Sequence, residues 1–148
     1  MMTAMIRGSV AWCTGMLLLL GVAMPAVRAQ EGAAAVAEAR KAAEAWLALL
    51  DRGQYAKSWD EAASLFRDAT ARDAWSGTVQ KVRAPFGKLK SRKLRGAQYA
   101  TSLPNAPPGQ YVVIQYDASF EHQPAVVETI TPMLDADGKW RVSGYYVR

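Results

Sequence analysis

The spacing of apolar residues changes once along this chain, near Lys88, and that change constrains the fold more than any other feature. Before it, apolar side chains recur at helical spacing; after it, they alternate with polar ones. A helix and a strand each bury one face, so the two halves must cover one another.

In the first half, Val36, Ala39, Ala43, Trp46, Leu47 and Leu50 share one helical face, while Glu38, Arg40, Lys41 and Glu44 fall off it. Gly53 is placed to end that helix, because glycine enters the left-handed conformation without a Cβ penalty. Tyr55, Trp59, Ala62, Ala63 and Phe66 predict a second helix. Thr70 with Asp73 three residues on reads as a capping box, opening a third helix through Trp75, Val79 and Val82. Pro85 stops it, since proline lacks the N–H of the next turn.

In the second half, a strand is expected within Leu89 to Leu103, followed by the turn-rich loop Pro104 to Gly109. Tyr111 to Phe120 alternates most clearly, with Val112, Ile114, Tyr116, Ala118 and Phe120 on one face and Asp117 on the other. Ala125 to Leu134 is the next strand, and Asp137-Gly138 signals a hairpin. In the last strand Trp140, Val142, Gly144 and Tyr146 line one face. The connections are too short for crossovers, so the sheet is antiparallel. The expectation is an α+β domain with three N-terminal helices packed on a four-stranded antiparallel sheet. A chain of 148 residues has room for one such core.

The segment before the first helix is of another kind. Residues 1–29 carry Arg7 and Arg28, no acid, and an apolar centre from Met16 to Met24. With Pro25 and Val27-Arg28-Ala29 this is the layout of a secretory signal peptide, cleaved near Ala29-Gln30. The domain is then residues 30–148, with Gln30 to Gly32 a short linker, exported to the periplasm or beyond. If uncleaved, Gly8 to Val27 would serve as a membrane anchor. Cys13, the single cysteine, lies in the leader, so the remaining domain forms no disulfide. Removing the two leader arginines takes the net charge from +5 to +3.

Known chemical signatures are missing from the sequence. No Walker loop, dinucleotide turn or nucleophile elbow is present. His122 is the sole histidine and sits in a predicted turn, so neither a metal site nor any cofactor is expected. Glu128 shares the alternation of Val126, Ile130 and Leu134 and is expected to be buried. A buried carboxylate needs a partner, and Arg92 is the candidate, as an internal ion pair or, alternatively, a pocket acid. Lys88, Lys90, Arg92, Lys93 and Arg95 form a basic stripe that could bind anions. No aromatic residue alternates with them, so nucleic acid is not an expected partner. The tryptophans at 46, 59, 75 and 140 occupy core-facing positions and read as packing.

Asp51 to Tyr55 followed by Ser58-Trp59 resembles the helical start of the nuclear-transport-factor-2-like (cystatin-like) superfamily. More specifically, Ser91 to Leu94, Gln98 to Pro104, Gly109 to Val113, Ser119-Phe120, Val127 to Thr129 and Gly138 to Tyr146 resemble an exported bacterial family known as domain of unknown function 4019. The resemblance implies a curved, cone-like sheet with a pocket beneath the helices. Related folds place an Asp, or an Asp–His pair, with a Tyr donor there. Asp117, Tyr99, Tyr111, Tyr116, Tyr145 and Tyr146 are the residues available, though Asp117 is expected to point away. The leading reading is a non-enzymatic ligand-binding or assembly module. Its partner would be a small molecule, an envelope component or a second copy held through Tyr111 and Val113 on the outer sheet face. The alternatives are a small acid–base enzyme using a carboxylate and Tyr, and an anionic-surface binder using the basic stripe.

Overall fold

A computed structural model describes residues 24–148. Helix α1 spans Met24–Asp51, and three shorter helices follow: α2 at Tyr55–Asp60, α3 at Ser64–Ala69 and α4 at Arg72–Arg83. A 3₁₀ turn at Ala84–Phe86 leads into strands β1 (Leu89–Ala100), β2 (Tyr111–Phe120), β3 (Val126–Leu134) and β4 (Trp140–Val147). The strands form one antiparallel sheet in the order β1-β2-β3-β4. The fold is α+β, a helical layer against an open sheet.

The face predicted for α1 is the face it buries: Ala39, Ala43, Trp46, Leu47 and Leu50 are each at most 3% exposed. They meet Val112, Ile114, Tyr116, Ile130 and Val142 from the sheet and Ala62, Phe66, Trp75 and Val79 from the shorter helices in one core. Gly53 ends α1 with φ of +71°, its N–H bonded to the Leu50 carbonyl. The tryptophans anchor the helices by both ring and N–H. Trp46 Nε1 donates to the Ser58 carbonyl at 2.7 Å, Trp75 Nε1 to Ser58 Oγ at 2.9 Å and Trp59 Nε1 to the Thr70 carbonyl at 2.6 Å. Trp46 and Trp75 are thus buried, and Trp59 partly buried, without leaving an indole N–H unpaired.

Four expectations are corrected. Gln30 to Gly32 is no linker: α1 runs through it without a break. Of the proposed leader, Met24 to Ala29 belong to the same helix, and residues 1–23 lie outside the described residues. Among the described residues the α-helices number four rather than three, because the second is split by a turn at Glu61–Ala63, where Ala63 N–H turns to the Val142 carbonyl at 2.8 Å. The Thr70–Asp73 capping box does not form; Thr70 is the extended residue that closes α3, and Ala71 precedes α4 without a side-chain cap. Finally, the alternation of β4 breaks midway. Thr131 pairs with Gly144 but Pro132 pairs with Val142, leaving Ser143 as an extra residue. The extra residue is left unpaired and the strand bends and twists there. Val142 and Tyr145 therefore both turn towards the core, and Tyr146 is left 62% exposed.

The outer face also differs from expectation. Tyr111 is 1% exposed, because the loop before β2 folds over its ring and Tyr111 Oη donates to the Pro107 carbonyl at 2.6 Å. It is no part of an open surface for self-association. No helix among the described residues is long and apolar enough to cross a membrane.

Candidate functional site

Five side chains from five elements converge beneath the C-terminal ends of α1 and α4. Glu128 comes from the inward face of β3 and is fully buried. Arg83, the last residue of α4, is 5% exposed. Arg92 projects from the inward face of β1. It pairs with Ala118 while Glu128 pairs with Tyr116, so its long side chain passes the small Ala118 to reach a neighbouring row two strands away. Asp51 closes α1, and Tyr145 reaches in from β4 because of the bulge.

The five groups form a closed hydrogen-bonded ring. Arg83 Nη1 donates to Glu128 Oε1 at 2.6 Å, and Arg92 Nε donates to Glu128 Oε2 at 2.6 Å. Both arginines also hold Asp51: Arg92 through Nη1 at 2.7 Å and Nη2 at 2.9 Å, and Arg83 through Nη2. Tyr145 Oη donates to Glu128 Oε1 at 2.7 Å and accepts from Arg83 Nη1 at 2.9 Å. Two guanidinium groups face two carboxylates, so formal charge cancels within the ring. The Arg83 guanidinium also lies 4.6 Å from the centroid of Phe120, a cation–π contact.

The electrostatics follow from that geometry. Burial by itself raises the Asp51 carboxyl, but Arg92 and then Arg83 outweigh it and hold the group below its ordinary 3.8. Burial works against both guanidinium cations. Tyr145, Glu128 and Asp51 nonetheless hold Arg83 above an ordinary arginine, and Asp51 and Glu128 do the same for Arg92. Burial first, and Glu128 second, push the Tyr145 hydroxyl well above its ordinary 10.0. Tyr145 therefore stays a neutral donor through the physiological range.

This arrangement has a clear chemical consequence. Both oxygens of Glu128 accept from cations, and its side chain meets no solvent. A general base or nucleophile needs a lone pair facing substrate. Glu128 offers none, and the ring ties five elements together instead. Among the described residues, no three His, Cys, Asp or Glu side chains converge to hold a metal ion.

A second acid is buried at the opposite end of the sheet. Asp135, in the β3–β4 connection, is 9% exposed. Its Oδ2 accepts from the Ser64 N–H at 3.0 Å, its Oδ1 from Ser64 Oγ at 2.6 Å, and Arg141 Nη1 lies 3.2 Å from Oδ2. Ser64 opens α3, whose preceding residue Ala63 has no capping side chain. Asp135 caps that helix from 71 residues away. The Ser64 hydroxyl is the chief reason its carboxyl sits below the ordinary 3.8, helped by the Ser64 and Ala136 N–H groups and by Arg141, against the opposing effect of burial.

The basic stripe is dispersed. Arg92 turns inward to the ring, Arg95 lies 3.6 Å from Asp117, and Lys93 pairs across the ladder with Asp117. Lys88 and Lys90 are exposed near Glu121, whose side chain accepts the Lys88 N–H at 2.9 Å. Asp117 is exposed, on the face away from the helices. Tyr116 Oη reaches Glu44 at 3.5 Å, and Tyr99 Oη reaches Gln110 at 3.2 Å. His122 sits in the exposed turn after β2. Sequence reasoning brought Glu128 and Arg92 together but did not place Arg83, Asp51 or Tyr145 with them. Arg83 ends an amphipathic helix two residues after Lys81, with no local sign of an inward partner, and the bulge reversed the parity of Tyr145.

Fold and site together define an α+β domain whose charged centre is closed by its own side chains. The chain belongs to the family described as "Protein of unknown function (DUF4019)", whose model matches residues 42–145 and so takes in all five members of the ring. Comparison with the curated proteins and with the solved structures gave no significant match.

Proposed function

We propose that this protein is an exported, non-enzymatic interaction module of the nuclear-transport-factor-2-like kind, acting through its surface rather than through a catalytic pocket. One observation carries the non-enzymatic part. Glu128, the acid on the inward face of the sheet, is fully buried and engaged by Arg83, Arg92 and Tyr145. The export part rests on the layout of residues 1–29. With Arg92 turned inward and Arg95 beside Asp117, the stripe left to serve anionic surfaces is reduced to Lys88, Lys90 and Lys93.

Native mass spectrometry of the protein recovered from a host that exports it tests both parts. The expected species lacks the first 29 residues and carries no small molecule. Full-length protein in the membrane fraction would overturn export. A stoichiometric co-purifying metabolite, displaced by mutation beside Glu128, would overturn the non-enzymatic reading.

A further inference from the structure

Strand β4 is an edge of the sheet, and its two halves are treated differently. At Val142 the edge is closed, because the carbonyl accepts the Ala63 N–H at 2.8 Å. Beyond the bulge it is open. Val127 and Arg148 exchange two backbone hydrogen bonds, of 2.8 and 3.2 Å. In an antiparallel ladder such pairs alternate. Thr129–Tyr146 and Thr131–Gly144 are then the bonded pairs, and Tyr145 and Val147 turn their N–H and C=O groups away from β3. Among the described residues these four groups have no backbone partner.

Beside them runs a groove of about 210 Å³, walled by Trp75, Thr78, Val79 and Val82 of α4 and by Tyr145, Tyr146 and Val147 of β4. No charged side chain lines it. Val82 is 39% and Tyr146 62% exposed, and the two stand side by side along it. Unpaired ladder groups next to an apolar trough specify an extended chain: the backbone supplies the hydrogen bonds and one or two side chains fill the trough. Lys81 follows Thr78 by one turn, Arg148 follows Val147, and neither has an ion-pair partner among the described residues. Both lie at the same end of the groove, since Arg83 reaches Glu128, the neighbour of Val147.

We propose that the Gly144–Val147 edge and the α4 groove bind an extended apolar segment of another protein, which adds as a fifth strand and places an acidic residue near Lys81 and Arg148. A second copy fits less well. Four open residues make an edge only ~13 Å long, far from supplying the roughly 800 Å² per partner that a stable dimer buries. The proposal rests on the reading of the domain as an interaction module. Its test uses purified protein, so a failure of export leaves it standing.

Random octapeptides displayed on phage would be selected against the purified protein, and the enriched sequences synthesised. The expected winners alternate apolar with polar residues and carry a terminal acid. They should shift and protect the Tyr145 and Val147 amides in a saturable NMR titration and bind several-fold more weakly at high salt. N-methylation of alternate peptide amides, or Val82→Arg in the protein, should weaken binding by about tenfold or more. Thr78→Arg is the second variant should Val82→Arg perturb folding. No enrichment, shifts mapping elsewhere, or indifference to both variants would overturn the proposal. So would a protein that sediments as a dimer with those amides already protected, since a second copy would then be the occupant.

Discussion

Glu128 and Asp135 lie seven residues apart, one in β3 and one just past it, and both are buried, yet the molecule neutralises them by different means. Glu128 is held by two guanidinium groups and a tyrosine, in a ring that returns through Asp51. Asp135 is held chiefly by the neutral hydroxyl and N–H of Ser64, with Arg141 at the rim. The difference follows from depth. At 0% exposure, an ionised carboxylate needs full countercharges close by; at the margin, the N-terminus of a short helix supplies enough. Glu128 joins strands to helices that are distant in sequence. Asp135 fixes a single helix start.

The largest expected consequence of that contrast is at Glu128. Glu128→Ala leaves Arg83 buried and both arginines sharing Asp51 alone, and should lower stability by about 3–5 kcal/mol. Urea denaturation measures it, and an unchanged midpoint would break the comparison at its stronger end. Asp135→Ala should lose about 1–2 kcal/mol, the usual worth of a helix cap. Its signature is local: the Ser64 to Phe66 amides should exchange faster while the sheet keeps its protection. Equal losses in the two variants would mean that depth does not set the difference.

Acid sharpens the same comparison. Asp51 and Asp135 both have folded pKa values below the ordinary 3.8. Their contributions are therefore complete above about pH 4, at the unfolded value, and are lost as pH falls through the lower folded values. Melting temperature should be flat on this account near neutrality and drop below pH 4, less steeply in Asp135→Ala. A melt that rises on acidification would contradict the sign. On the alkaline side Tyr145 acts in reverse. Its folded pKa lies above 10.0, so its contribution is whole below pH 10 and is lost as pH rises further. The smallest effect belongs to Tyr145→Phe. It removes one donor to Glu128 Oε1 while both arginines stay, and should cost about 1 kcal/mol.

How much was legible beforehand depends on how local the cause is. The buried face of α1, the stop at Gly53, the bounds of β2 and the Asp137-Gly138 turn each rest on neighbouring residues, and all were readable. The split between α2 and α3 was not, because the groups that fix it, the Val142 carbonyl and the Asp135 carboxylate, lie some 70 residues away or more. Ala63 itself has no side chain that could cap α3, while Thr70 resembles a cap that is not used.

The same distinction runs through the site. The sequence by itself determined that Glu128 faces inward and must find a cation, since alternation sets its side and desolvation forbids leaving it alone. Only the tertiary structure decided that Arg83 and Arg92 share it and that Asp51 completes the balance. The bulge at Ser143 decided that Tyr145 joins them and that Tyr146 is left outside. A bulge changes which face every later residue occupies, and it is defined only by the pairing with a different strand, β3.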